Sequence, residues 1–136
     1  MSEFLMDLDD GMTEFFRDIA RYLVKESGMP YAEAVARLNA AFRDATFGPY
    51  PDIMCHEGED YWASGVYYEP LPDGREVPWW EPDADRSAWR TRPAPPRDSP
   101  AWTLPLDAEA PPPRPELHEL PPDDPRVFRM PSGEDS

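Results

Sequence analysis

Proline is the residue that most limits how this chain can fold. Of its twenty prolines, thirteen fall within the last 46 of 136 residues, among them Pro95-Pro96, Pro111-Pro112-Pro113 and Pro121-Pro122. Each removes a backbone donor and fixes φ, so a run of them neither continues a helix nor pairs inside a sheet. The expectation is a folded domain over residues 1–90 and a proline-rich extended or disordered tail over residues 91–136. Two apolar islands could anchor that tail: Trp102 with Leu104 and Leu106, and Val127-Phe128-Arg129-Met130. A domain of about 90 residues buries only about 60–65% of its unfolded surface, so a docked Trp102 would add to its stability.

Inside the first ninety residues the apolar spacing turns helical. Met12, Phe15, Phe16, Ile19 and Leu23 make one stripe at i, i+3, i+4, i+7 and i+11, which predicts a helix over about 12–26. Asp10 or Thr13 could cap it, and Gly28 suits its left-handed end. Pro30 then fits the first turn of a second helix over about 30–43, striped by Tyr31, Ala34, Val35, Leu38, Ala41 and Phe42. The short link implies an antiparallel pair or an angled helix-turn-helix.

Pro49 and Pro51 exclude a regular helix from Thr46 to Ile53. The run Tyr61-Trp-Ala-Ser-Gly-Val-Tyr-Tyr68 has the aromatic and β-branched character of a strand, although it also fits one turn of helix after Asp60. Leu71-Pro-Asp-Gly-Arg75 is a turn with a mechanism, since proline presets φ, Asp bonds its own backbone and Gly takes positive φ. It would join 61–69 to 75–80 as a hairpin, with Pro78 confining the second arm to an edge. The expected architecture is therefore small α+β. An N-terminal antiparallel two-helix unit packs on a short aromatic-rich hairpin or irregular segment, and the proline-rich tail follows.

Charge narrows the partners. Twenty-eight Asp and Glu against thirteen Lys and Arg give −15, and residues 49–90 are the most acidic third, at ten acids to three bases. Such a chain repels phosphate and anionic lipid, so direct nucleic-acid and membrane binding are not expected and a basic protein partner is. Helix 2 offers Arg37, Asn39 and Arg43 to a DNA groove, but Glu33 and Asp44 share that helix. Acids occupy Met1 to Asp10 where a signal peptide needs bases, and no stretch approaches the roughly 18 apolar residues of a membrane span. The single cysteine, Cys55, excludes an internal disulfide. These features point to a soluble cytoplasmic protein. They leave the oligomeric state open.

The one cluster of ligand-type residues is Cys55-His56-Glu57-Gly58-Glu59-Asp60. Zinc needs three or four converging donors, whereas adjacent residues in an extended segment face opposite ways and the other histidine, His118, lies in the tail. A cysteine nucleophile needs a base held by a third group, which the neighbouring His56 cannot readily provide. No phosphate loop or nucleophile elbow is present. No catalytic residue, cofactor or metal is therefore expected. A small metal-dependent enzyme using the Cys55-His56 region stays as an alternative.

All five tryptophans lie between residues 50 and 102, interleaved with carboxylates. Adjacent pairs such as Trp79-Trp80 cannot both point inwards from an extended run, so some rings should be exposed beside acids. Exposed Trp and Tyr make binding hot spots, and surrounding acids steer a basic partner. The expected anchors are Trp62, Tyr67, Trp79 and Trp80, with Trp102 in the tail. Glu57, Glu59, Asp60, Glu81, Asp83 and Asp85 supply the field.

In size and charge the chain is similar to small acidic bacterial immunity and inhibitor proteins, which occlude basic enzymes. That likeness implies a non-enzymatic protein–protein binding module of the inhibitor type. The alternatives are a scaffold docking through Trp102 and Phe128 of the tail, a nucleic-acid mimic, and a saccharide platform using the same rings.

Overall fold

The computed structural model describes residues 2–113. His118, the Pro121-Pro122 pair and the island at Val127–Met130 lie outside the described residues. Three helices carry the architecture: α1 at Asp10–Ser27, α2 at Tyr31–Phe42 and α3 at Glu59–Tyr67, with a single 3₁₀ turn at Ile53–His56 before α3. Among the described residues, helix is the main regular structure and strand is almost absent.

α1 begins two residues earlier than its apolar stripe. Asp9, not Asp10 or Thr13, is the cap, and its carboxylate accepts from Met12 N at 2.8 Å. At the other end Gly28 takes φ +78° and its N–H donates to the Val24 carbonyl at 2.9 Å, which closes the helix as expected. Pro30 directly precedes α2, where its missing donor costs nothing. The stripes then meet: Met12, Phe16 and Ile19 of α1 and Val35 and Leu38 of α2 are fully buried. Each such side chain contributes about 1.5–3 kcal/mol by leaving water.

The expected strand over 61–68 is instead α3, and the hairpin does not form. Gly58, Glu59 and Asp60 start the helix, and its period turns Ala63 and Val66 into the core. Packing against α1 outweighs the strand propensity of Tyr, Trp and Val. Negative charge in its first turn complements the helix dipole. The Leu71–Arg75 turn is present, with Leu71 N–H donating to the Arg75 carbonyl at 2.8 Å and Gly74 at φ +89°. Beyond it the chain lies across α3 instead of pairing with 61–69, and Val77 is buried there. Tyr68 makes an isolated antiparallel bridge to Thr91, flanked by Glu69 N–H to the Arg90 carbonyl and Arg92 N–H to the Tyr67 carbonyl. The β component of the expected α+β class reduces to that bridge among the described residues.

Asn39 joins three parts of the chain. It is fully buried on α2, where its Oδ1 accepts from Leu5 N at 2.8 Å and its Nδ2 donates to the carbonyls of Glu3 and Ala101 at 3.3 and 3.0 Å. The proline-rich residues 91–113 thus lie against the helices. Thr103 Oγ1 donates to the Glu3 carbonyl at 2.6 Å, Arg37 to the Arg92 carbonyl at 2.7 Å and Arg21 to the Pro111 carbonyl at 2.9 Å. Replacing Asn39 with Ala leaves the Leu5 donor and the Ala101 acceptor without this partner, whereas the Glu3 carbonyl keeps Thr103. It should cost about 3 kcal/mol in a urea melt, with the slope unchanged.

Glu3 pins the same N-terminal arm to α1 and α2. Its carboxylate accepts from Arg17 at 2.9 and 3.0 Å and from the Tyr31 hydroxyl at 2.6 Å. Burial alone would raise its pKa, but the hydrogen bonds from Arg17 and Tyr31 outweigh that and hold it below its ordinary 4.5. Burial, then the Glu3 carboxylate, pushes the Tyr31 phenol well above its ordinary range. A carboxylate with a lowered folded pKa stabilises fully above the ordinary value, and that stabilisation is lost as pH falls through the folded value. Glu3→Gln should therefore cost about 1.5–3 kcal/mol at pH 7. The gap to the parent should close as pH falls through the lowered folded pKa of Glu3, as read by denaturant melts across pH.

Candidate functional site

A string of aromatic rings runs from the core to the surface. Phe16 packs edge-on against Phe42 at 5.4 Å, Phe42 against Trp62 at 6.1 Å and Trp62 against Tyr61 at 4.9 Å. Tyr61 then meets Trp79 at 6.2 Å, and Trp79 meets Trp80 at 5.5 Å with the planes at 90°. α3 supplies Tyr61 and Trp62, and the chain laid across it after Gly74 supplies Trp79 and Trp80. These edge-to-face contacts match the ring quadrupoles and stiffen the outer rings. Trp62 is fixed further by its indole N–H, which donates to the Met54 carbonyl at 2.8 Å. Trp80, the last ring, is 53% exposed.

The acids lie around the outer end. Pro78 to Asp85 folds as consecutive tight turns, with Glu81 N–H on the Pro78 carbonyl at 3.1 Å and Ala84 N–H on the Glu81 carbonyl at 3.2 Å. Glu81, Asp83 and Asp85 are exposed on these turns. Asp85 accepts from Ser87 N at 3.0 Å, and that bond lowers its pKa, so it stays ionised. Glu57 and Glu59 are exposed and Asp60 half-buried at the start of α3, directly before Tyr61. Burial raises the pKa of Tyr22, and Glu26, Asp60 and Glu59 raise it further against the opposing charge of Arg86. Tyr22 and Glu26 of α1 thus extend the acidic face. Their place was not legible in a sequence where Tyr22 and Glu26 flank the core stripe.

Two expected anchors stand apart from this string. Tyr67 packs under Arg37 at 5.1 Å and beside Tyr68 at 5.0 Å, in a second ring group that continues to Trp89 and Arg86. Trp102 is half-buried within its own segment, its indole N–H on the Pro95 carbonyl at 2.9 Å and Arg97 over its face at 4.3 Å. A further exposed apolar pair was missed as a site: Tyr50 at 54% and Ile53 at 80% exposure. Asp9 accepts from Tyr50 N at 2.9 Å, and Asp52 accepts from Gly48 and Met54 N–H groups. The one available signal was Ile53 following Pro51-Asp52 outside any apolar stripe.

Cys55 and His56 diverge on the 3₁₀ turn, not on the extended segment expected. The Cys55 thiol faces the core, 3.7 Å from Met12 Sδ, whereas His56 is exposed. Burial, with the carboxylates of Asp52 and Asp9 nearby, pushes the thiol pKa up, the opposite of an activated nucleophile. Among the described residues, no three His, Cys, Asp or Glu side chains are grouped to hold a metal ion. No helix among them is long and apolar enough to cross a membrane.

The chain matches no known protein family, no curated protein and no solved structure, so the reading of this surface rests on its own chemistry. The two tryptophans at its centre differ in one testable respect. Trp62 spends its indole N–H on Met54, whereas the Trp79 N–H is buried without a partner among the described residues. Trp62→Phe should cost about 1 kcal/mol more than Trp79→Phe in thermal or urea melts, because it alone removes a hydrogen bond, although the Met54 carbonyl keeps the Glu57 N–H.

Proposed function

We propose that this protein is a non-enzymatic binding module that recognises a basic protein and occludes it. Trp80 is the leading anchor. The observation that carries this reading is the exposed Trp80, braced from behind by Trp79 and Tyr61 and set beside Glu81 and Asp83 on tight turns. An exposed indole held rigid loses little freedom on binding, which is the property of a hot-spot residue. The net charge of −15 supplies long-range attraction for a cationic surface, and the exposed carboxylates around the ring set its local direction. Trp62 and Trp79 act here as the support of the anchor, and Glu57, Glu59 and Asp60 as the second half of the field. An inhibitor or immunity-type role follows if the covered surface is the partner's active-site cleft.

Ring and charge should separate kinetically. With the partner recovered on tagged protein at low salt and identified, Trp80→Ala should raise the dissociation rate about thirtyfold with the association rate nearly unchanged. Replacing Glu81, Asp83 and Asp85 with their amides should lower the association rate and flatten its salt dependence. Surface plasmon resonance reads both rates, and a complex indifferent to all four changes would refute the assignment. The variants should keep the parental melting temperature, since none of these side chains is buried.

A further inference from the structure

A second feature, walled by the inner rings of the string that ends at Trp80, has the form of a ligand site. A groove of about 480 Å³ opens between α2, α3 and residues 92–95. Sites for small molecules span about 300–1,000 Å³ and combine an apolar wall with a few fixed polar groups. Phe42, Tyr61 and Trp62 supply the aromatic wall here, and Arg37 and Arg92 the polar groups. Glu76 is the acid on its lining, and it forms no ion pair among the described residues.

Arg37 is held in place, and the exposed Arg92 is tethered by one bond. Arg37 is 9% exposed, paired with Glu33 at 2.8 Å and bonded to the Arg92 carbonyl at 2.7 Å. The Arg92 Nε donates to the Gly65 carbonyl at 3.1 Å, which orients its guanidinium over α3. A guanidinium has five N–H donors in a planar fork, and that single bond leaves the terminal nitrogens of Arg92 without a protein acceptor among the described residues. Carboxylate is the group whose two oxygens match such a fork. The −15 charge of the whole chain opposes anions at long range, but at physiological salt screening acts over about 8 Å, whereas a contact with Arg92 is direct.

We propose that this groove binds a carboxylate carrying a flat apolar body, with the carboxylate on Arg92 and the ring against Phe42, Tyr61 and Trp62. An arylalkanoate or the aromatic C-terminal residue of a peptide presents the same chemistry. Gly65 offers a clean way to block it. It lines the groove, and a Cβ built there meets no atom within 4 Å, so a side chain can be added at the groove edge without a clash at Cβ.

The test is a titration of the full-length ¹⁵N-labelled chain with 3-phenylpropionate, with 3-phenylpropanamide and with the peptide acetyl-Gly-Gly-Phe. The acid should shift the Gly65 amide and the Arg92 Nε–H, and the amide should bind about tenfold more weakly. Arg92→Gln should remove that preference for the acid, and Gly65→Leu should abolish the shifts for every probe. Tighter binding of the peptide than of phenylpropionate assigns the ligand to a chain terminus, and the reverse assigns it to a small molecule. Equal affinity for acid and amide, shifts that survive Gly65→Leu, or no shift at millimolar probe would each overturn the proposal.

Discussion

One buried amide holds this molecule together. Asn39 sits at full burial on an otherwise apolar face of α2, and all three of its hydrogen bonds go to backbone groups from distant parts of the chain. A polar side chain there is costly unless it is satisfied, and only two segments laid across the helix satisfy it. The residues before α1 and the residues around Ala101 are therefore fixed to each other through α2. Glu3 adds the ionic half of the same joint by taking Arg17 and Tyr31 together. The three-helix unit is thereby wrapped, and the wrapping leaves α3 and the chain across it to carry the outward-facing rings.

The helices α1 and α2 were legible because their stripes repeat over several turns and Gly28 and Pro30 punctuate them. α3 was not. Over nine residues, Tyr, Trp and Val argue for a strand by propensity, while Ala63 and Val66 argue for a helix only once α1 is there to bury them. The Gly74 turn was read correctly as local chemistry, but the partner of the chain before it proved to be Arg90–Arg92, a pairing no local signal announces. Asn39 stands in the sequence beside Arg37 and Arg43 as a polar group on α2, with nothing local to mark it as buried. Its true role depends on carbonyls 36 and 62 residues away.

The site was legible in kind more than in place. Trp79 and Trp80 are both expected anchors by alternation along an extended run, but they sit on the tight turn from Pro78 to Glu81, where Trp79 is half-buried and Trp80 exposed. The same argument had less hold on Tyr61-Trp62 and Tyr67, since successive residues in a helix are separated by about 100° and do not point to opposite faces. Trp102 could be recognised as an anchor without its occupant being evident: it is held by Pro95 and Arg97 of its own segment. The groove at Arg37 and Arg92 escaped notice because it joins α2, α3 and a proline-rich stretch that composition alone sets apart from the domain.

The joint at Asn39 also orders events during synthesis. The carbonyl of Ala101 and the hydroxyl of Thr103 that complete the surroundings of residues 3–5 are made almost a hundred residues after them. Until then the nascent helices hold an unfinished polar seam, so the arm before α1 is among the last parts to come to rest.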